Sequence, residues 1–258
     1  MPLIHLQNLK KRFGRLVVLD DVTLDIQAGM CVVIIGASGS GKSVLLKHIV
    51  GLLKPDAGEV WVGGQRVDEL PERQLMEIRK RFGFLFQMSA LFDSLTVGEN
   101  IGFPLAEHTR KSPEEIAGIV EQKLRLVGLS GIQKKMPGEL SGGQRKRVAL
   151  ARAIALDPEV IVYDEPTTGL DPIRSDVINE LILKLQRELN VTSIVVTHDM
   201  NSAFKVGDRI VMIYEGKLIA DGTPAEIQSS TDPRVRRFVV GEASEEELRA
   251  ITGSARSQ

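Results

Sequence analysis

The sequence predicts an α/β domain: a mostly parallel sheet core, an antiparallel β element beside it, and a helical subdomain inserted between strands of the core. Three observations carry this. Val32–Ile35, Val160–Tyr163 and Ser193–Thr197 are compact runs rich in Val and Ile, the pattern of buried strands. Loops and longer helical patterns separate them, as parallel strands joined by crossovers require. The first part of the chain differs, because Ile4–Leu9, Val17–Ile26 and Glu59–Val62 read as strands joined by turns.

Taken in order, Ile4–Leu9 and Val17–Ile26 begin the antiparallel element, the Val32–Ile35 strand runs directly into a loop and a helical stretch, and Glu59–Val62 follows. Further on, Ser112-Pro113-Glu114-Glu115 marks a helix start. Ser112 caps, Pro113 fits the first turn and Glu115 closes a capping box. That helix is expected to run to about Val127 and to stop at Gly128. Another begins near Ser141 and runs through Ala155, so residues 88–155 form the inserted helical subdomain of a domain spanning 1–240. Beyond it, residues 241–258 read as a C-terminal tail of charged and small residues, either disordered or in contact with a second subunit. No internal repeat or low-complexity segment is evident.

The bulk numbers set limits. With 258 residues, 43% of them hydrophobic, the chain can bury a sizeable core. A formal net charge of -1 lacks the basic excess of a nucleic-acid binder. The one cysteine, Cys31, excludes a disulfide within the chain and reads as a core residue. No apolar run approaches the ~18 residues of a membrane span. The start, MPLIHLQNLKKRF, has no apolar stretch like a secretory signal. The chain is therefore expected to stay in the compartment where it is made and to reach a membrane only through a partner.

Between the strand ending at Ile35 and the helical run Val44–Val50 lies Gly36-Ala37-Ser38-Gly39-Ser40-Gly41-Lys42-Ser43. This is the G-x-x-x-x-G-K-[ST] pattern in its strand–loop–helix context. Glycines let successive N–H groups converge on phosphate, and the helix N-terminus adds partial positive charge. Gly36, Ser38, Gly39, Ser40 and Gly41 thus line a nucleotide site. Lys42 reaches the β- and γ-phosphates, and the Ser43 hydroxyl ligates Mg²⁺. The strand Val160–Tyr163 ends in Asp164 and Glu165. Asp164 suits the metal, since Mg²⁺ prefers oxygen ligands, and Glu165 suits the base that activates water.

Leu140-Ser141-Gly142-Gly143-Gln144 is a second anion-binding turn at a helix start. It resembles the signature motif of ABC ATPases, and the rest of the family's motifs follow in order. The resemblance covers about Leu3 to Val240 and implies a P-loop, RecA-like core that binds ATP with Mg²⁺ and hydrolyses it. It also implies a head-to-tail homodimer in which each ATP lies between the Lys42 loop of one subunit and Ser141–Gln144 of the other. Phe13 matches the aromatic that stacks on adenine, against the alternative of an ordinary core Phe. Gln87 matches the loop glutamine that contacts Mg²⁺ and couples to the permease. Asp171, in Gly169-Leu170-Asp171, matches the loop that crosses the dimer interface, and His198 matches the switch histidine at the γ-phosphate. His5, His48 and His108 have no such context and read as structural or solvated.

A narrower resemblance lies in Ala90-Leu91-Phe92-Asp93-Ser94, Phe103-Pro104-Leu105 and Glu107-His108-Thr109, with Thr231–Phe238. These look like the ATPase of Mla/Mce-associated phospholipid transporters. That family implies membrane permease subunits, an MCE-domain substrate-binding protein and a small STAS-domain protein as partners. It implies a peripheral location on the cytoplasmic face of the bacterial inner membrane. The alternative is the ATPase of an importer for a small polar solute such as an amino acid. A soluble ABC ATPase acting on DNA or ribosomes would need a coiled-coil insertion or a second ATPase domain, and a generic P-loop kinase would not need Leu140–Gln144. Arg145-Lys146-Arg147 reads as a solvated helix face rather than an anionic-lipid patch.

Overall fold

The computed structural model describes residues 2–243. Of the tail expected at 241–258, residues 244–258 lie outside the described residues. The chain opens with β1 (Ile4–Phe13) and β2 (Leu16–Ile26), paired antiparallel across a two-residue turn at Gly14 and Arg15. β4 (Ala57–Val62) pairs with the other edge of β1, and the short β5 (Gln65–Arg66) pairs with β4. These four make the antiparallel sheet, in the order β2-β1-β4-β5. β1 runs further than its apolar residues suggest. Lys10–Phe13 are mostly exposed but still pair with β2, so a ladder of backbone hydrogen bonds continues where the hydrophobic pattern has ended.

The central sheet contains β3 (Cys31–Ile35), β6 (Phe82–Leu85), β7 (Val160–Asp164), β8 (Thr192–Val196), β9 (Arg209–Tyr214) and β10 (Lys217–Gly222). Its order is β10-β9-β3-β8-β7-β6. All neighbours are parallel except the edge pair β9–β10. A fold with this order needs crossovers, and helices supply them. α1 (Lys42–Ile49) and α2 (Glu72–Lys80) precede β6, α6 (Pro172–Leu189) joins β7 to β8, and α7 (Met200–Val206) joins β8 to β9.

Alternation along β3 divides the core. Val32 and Ile34 face the antiparallel sheet, together with Leu45 and Ile49 of α1. Cys31, Val33 and Ile35 face the opposite side, where Ile178 and Leu185 of α6 and Ala203 and Val206 of α7 complete the layer. Cys31 is fully buried, and burial pushes its thiol pKa up, as befits an inert core residue.

Between β6 and β7 the chain builds α3 (Val97–His108), α4 (Pro113–Leu126), a 3₁₀ turn (Pro137–Glu139) and α5 (Gly142–Ala153). Their starts are written in the sequence. Thr96 with Glu99, Ser112 with Glu115 and Ser141 with Gln144 each form a reciprocal capping box. α4 ends at Leu126, with Val127 as its C-cap directly before Gly128. Two short helices, α8 (Pro224–Gln228) and α9 (Pro233–Val240), close the described chain. Among the described residues no helix is long and apolar enough to cross a membrane.

The join between the helices and the sheet is tight at one point. A Cβ at Gly83 of β6 would come 2.4 Å from the Ala153 carbonyl oxygen at the end of α5. Backbone cannot move aside as a side chain would. Gly83→Ala is therefore expected to cost about 1–3 kcal/mol by overpacking, read as a lowered urea midpoint for unfolding.

Candidate functional site

Parallel register assembles the site. Ile34 of β3 and Asp164 of β7 both pair with Val196 of β8, and Leu85 of β6 pairs with Tyr163 of β7. The residues that follow these strands therefore emerge along one edge of the sheet. They are Gly36 after β3, Gln87 after β6, Glu165 after β7 and His198 after β8. Ligand sites in open α/β sheets lie beyond the carboxyl ends of the strands, and four of the sequence candidates meet there.

The Gly36–Ser43 loop is held in shape by contacts within the chain. Gly36 lies at φ 149°, and a Cβ there would sit 2.3 Å from the Ile213 carbonyl oxygen. Only glycine fits. The Lys42 ammonium is buried, 9% exposed, and donates to the carbonyl oxygens of Gly36 (2.7 Å) and Ala37 (2.8 Å). Burial pulls its pKa below the ordinary value, and the carboxylates of Glu165 and Asp164 offset part of that. Ser38, Gly39 and Ser43 are exposed on the open side of the loop. The Ser40 hydroxyl is buried without a hydrogen-bond partner. An orphaned hydroxyl inside a phosphate-type loop fits a site shaped for an anion.

Asp164 ends β7 half-buried. Burial, and then the charge of Glu165, push its pKa up, while Lys42 and Lys47 oppose the shift. Glu165 lies at φ 49°, a left-handed conformation uncommon for a residue with a side chain. Its N–H donates to the Val196 carbonyl oxygen at 2.8 Å. Its Oε1 lies 2.9 Å from His198 Nδ1. The hydroxyls of Thr168 (3.3 Å) and Thr197 (3.4 Å) donate to its Oε2. The two threonines are partners that motif reading did not single out.

Phe13 ends β1 with 48% of its surface exposed and Lys11 Nζ 5.6 Å from its ring centroid. This excludes the alternative of a core Phe. Gln87 is exposed after β6. Asp171 caps α6, accepting from the Arg174 N–H at 2.9 Å. His48 is buried with Nδ1 2.7 Å from the Val44 carbonyl oxygen, His5 pairs with Asp25, and His108 is exposed.

Ser141–Gln144 stands elsewhere. Ser141 Oγ accepts from Gln144 N–H (3.3 Å) and Gln144 Oε1 accepts from Ser141 N–H (2.9 Å). This leaves the N–H groups of Gly142 and Gly143 at the helix start with no intrahelical acceptor. The neighbours of these glycines are Leu170 and Arg174, at the start of α6. α5 belongs to the core on one face of the central sheet and α1 to the core on the other. One chain thus carries its two glycine-rich helix starts on opposite layers.

The expectation for Arg145-Lys146-Arg147 needs correction. Arg145 is exposed, but Lys146 is only 5% exposed and donates from Nζ to the Gln87 carbonyl oxygen at 3.0 Å. Arg147 donates to the carbonyl oxygens of Val127 and Gly128. The run is not one solvated face, because 146, 149, 150 and 153 share the inner stripe of α5. That helical spacing was the signal available in the sequence.

The ABC transporter family model matches residues 19–168. The chain belongs to the ABC transporter family. It is an ABC-type ATP hydrolase, and its nucleotide is ATP. Among its relatives is the MlaF protein of Haemophilus influenzae, an intermembrane phospholipid transport system ATP-binding protein. The two are 46% identical over 241 residues, covering 93% of this chain and 91% of that one. The mkl protein of Mycobacterium leprae, named as a probable ribonucleotide transport ATP-binding protein, is 45% identical over 238 residues, covering 92% of this chain and 69% of its own length. Among solved structures, a dimeric post-hydrolysis state of the cassette MJ0796 bound to ADP and Pi matches with TM-score 0.78 and 37% identity, covering 86% of this chain and 98% of that one.

The raised pKa of Asp164 has a consequence for stability. The folded cassette binds that proton more tightly than the unfolded chain does. Stability is therefore fullest while Asp164 is protonated and falls as pH rises through its folded-state value. Without nucleotide or metal, Asp164→Asn is expected to raise the melting temperature at neutral pH. Scanning calorimetry of the two proteins checks this, and an unchanged or lower midpoint contradicts it.

Proposed function

We propose that this cassette drives the movement of phospholipid across the bacterial envelope, as one of two identical ATPase subunits bound to a membrane permease. The observation that carries the reading is the relation to the Haemophilus protein, which extends over nearly the full length of both chains. It is supported by Ala90–Ser94, Phe103–Leu105 and Glu107–Thr109, which resemble the same group of transporters. The importer of a small polar solute is less favoured: the mkl relative, named for ribonucleotide transport, is matched over only 69% of its length.

Within the 1–240 ATPase domain, residues 88–155 are the helical subdomain and carry the permease contact. An open apolar groove of about 440 Å³ runs between β6 and α3, lined by Phe82, Phe86, Phe92, Phe103 and Arg152. Met88 beside it is 87% exposed. An exposed aromatic patch of this kind marks a protein contact. The further partners are an MCE-domain substrate-binding protein and a small STAS-domain protein, with no nucleic acid. The cassette sits on the cytoplasmic face of the inner membrane, attached only through the permease.

In the catalytic cycle, Phe13 stacks on adenine, and Gly36, Ser38, Gly39, Ser40 and Gly41 surround the phosphates. Lys42 exchanges the Gly36 and Ala37 carbonyls for phosphate oxygens, which costs little because it is already desolvated and aimed along the loop. Glu165 takes a proton from the attacking water. His198, in contact with Glu165, positions the carboxylate and the γ-phosphate. The donor set of Ser43, Gln87 and Asp164 is all oxygen, as Mg²⁺ prefers. When bound there, Mg²⁺ supplies neutralisation of charge on the phosphate oxygens. The Ser141–Gln144 turn, with Gln144 holding its cap, completes the ATP site of the second subunit, and Asp171 lies where the two subunits meet. ATP closes the dimer because it contacts both halves, and hydrolysis removes that bridge.

Two experiments bear on this. Glu165→Gln is expected to cut kcat by about 10²–10⁴-fold, the span of a lost general base, and to trap an ATP-bound dimer. A monomer at saturating ATP by light scattering contradicts the dimer. Affinity purification of the tagged cassette from gently solubilised membranes is expected to bring a permease, an MCE-domain protein and bound phospholipid. A permease arriving with a soluble solute-binding protein, or with bound nucleotide cargo and no lipid, overturns the phospholipid reading and leaves the ATPase intact.

A further inference from the structure

The segment after β6 adopts a conformation that its own sequence does not favour. Ser89 and Ala90 are consecutive residues with side chains in the left-handed region, at φ 64° and 47°. Local contacts within the segment are few: Ser89 N–H donates to the Phe86 carbonyl oxygen at 2.9 Å. The conformation is imposed from α5. Lys146 Nζ donates to the Gln87 carbonyl oxygen at 3.0 Å. Arg152 Nη1 donates to that of Ala90 at 2.7 Å, and Nη2 to that of Ser89 at 2.9 Å. Two cations of one helix thus hold three carbonyls of one four-residue segment.

Both cations bear the cost of desolvation. Lys146 is 5% exposed, and burial pulls its pKa down against the opposing charge of Glu165. Burial likewise lowers the pKa of Arg152. A buried ammonium is retained where it has a specific partner. Here that partner is the backbone of the glutamine at the sheet edge. Arg152 also lies over the Phe92 ring, 5.8 Å from its centroid, so the same clamp borders the aromatic groove.

We propose that Lys146 and Arg152 are positioning residues for ATP hydrolysis, clamping the Gln87–Ala90 segment to α5 so that Gln87 and the Ser141–Gln144 turn move as one body. The proposal rests on the reading of Gln87 as a site residue. Neither cation touches nucleotide in this role. Each acts through the backbone of the segment it holds.

The test uses the full chain, with steady-state ATPase kinetics and hydrogen–deuterium exchange on Lys146→Met, Lys146→Arg, Arg152→Lys and Gln87→Ala. Lys146→Met is expected to raise amide exchange over residues 87–92 while the Gly36–Ser43 loop keeps its wild-type exchange. Its kcat is expected to fall by about 10- to 100-fold, the cost of an ångström-scale misplacement. KM for ATP should stay within about twofold, because ground-state binding is untouched. Lys146→Arg, which keeps a cationic donor, should restore most of kcat. If Lys146→Met does not fold, Arg152→Lys carries the same measurements, since lysine cannot span two carbonyls with one rigid fork. Wild-type exchange over 87–92 overturns the clamp, as does a kcat loss matched by a rise in KM or one that Lys146→Arg leaves unrepaired. Gln87→Ala with wild-type kcat overturns the role of Gln87 itself, and the exchange data then still judge the clamp.

Discussion

The parallel register of β3, β8, β7 and β6 is the constraint on which the rest of the structure depends. Because Ile34 and Asp164 share Val196 as a neighbour, the chain leaves three adjacent strands at the same height. The candidate site residues are those that immediately follow. A slip of two residues in any one pairing would keep every apolar side chain on its own face but would carry Glu165, His198 or the Gly36 loop out of line. These largely apolar strands do more than supply a core. They fix the depth from which each loop starts.

Those loops pay locally for their geometry. Glu165 sits in a left-handed conformation, its N–H tied to the Val196 carbonyl and its carboxylate held by His198, Thr168 and Thr197. Ser89 and Ala90 do the same on the neighbouring strand end. Such backbone is maintained only where surrounding groups over-determine it. In both places they do, by adding donors from distant parts of the chain to the segment's own turn bonds.

Much of this was legible in the sequence, and the reasons differ by element. The Gly36–Ser43 loop was readable because phosphate binding needs glycines at fixed spacing. α4 and α5 were readable because their caps are written as Ser followed three residues later by Glu or Gln. The buried strands stood out as runs of Val and Ile. What was hidden depended on contacts far apart in the chain. The end of β1 is polar and is a strand only because β2 lies beside it. Lys146 looked like part of a charged face, since its partner is a carbonyl 59 residues away. Thr197 and Thr168 carry no motif, and their value comes from lying within reach of Glu165.

The reciprocal cap at the start of α5 has one more consequence. Ser141 and Gln144 satisfy each other, so the turn is braced by its own side chains, and the N–H groups of Gly142 and Gly143 have no intrahelical acceptor. A turn braced in this way does not depend on a phosphate for its shape. The entropic cost of assembly falls instead on bringing two rigid bodies together. That cost is shared across the whole interface rather than charged to each nucleotide, and a permease holding two cassettes side by side would lower it in advance.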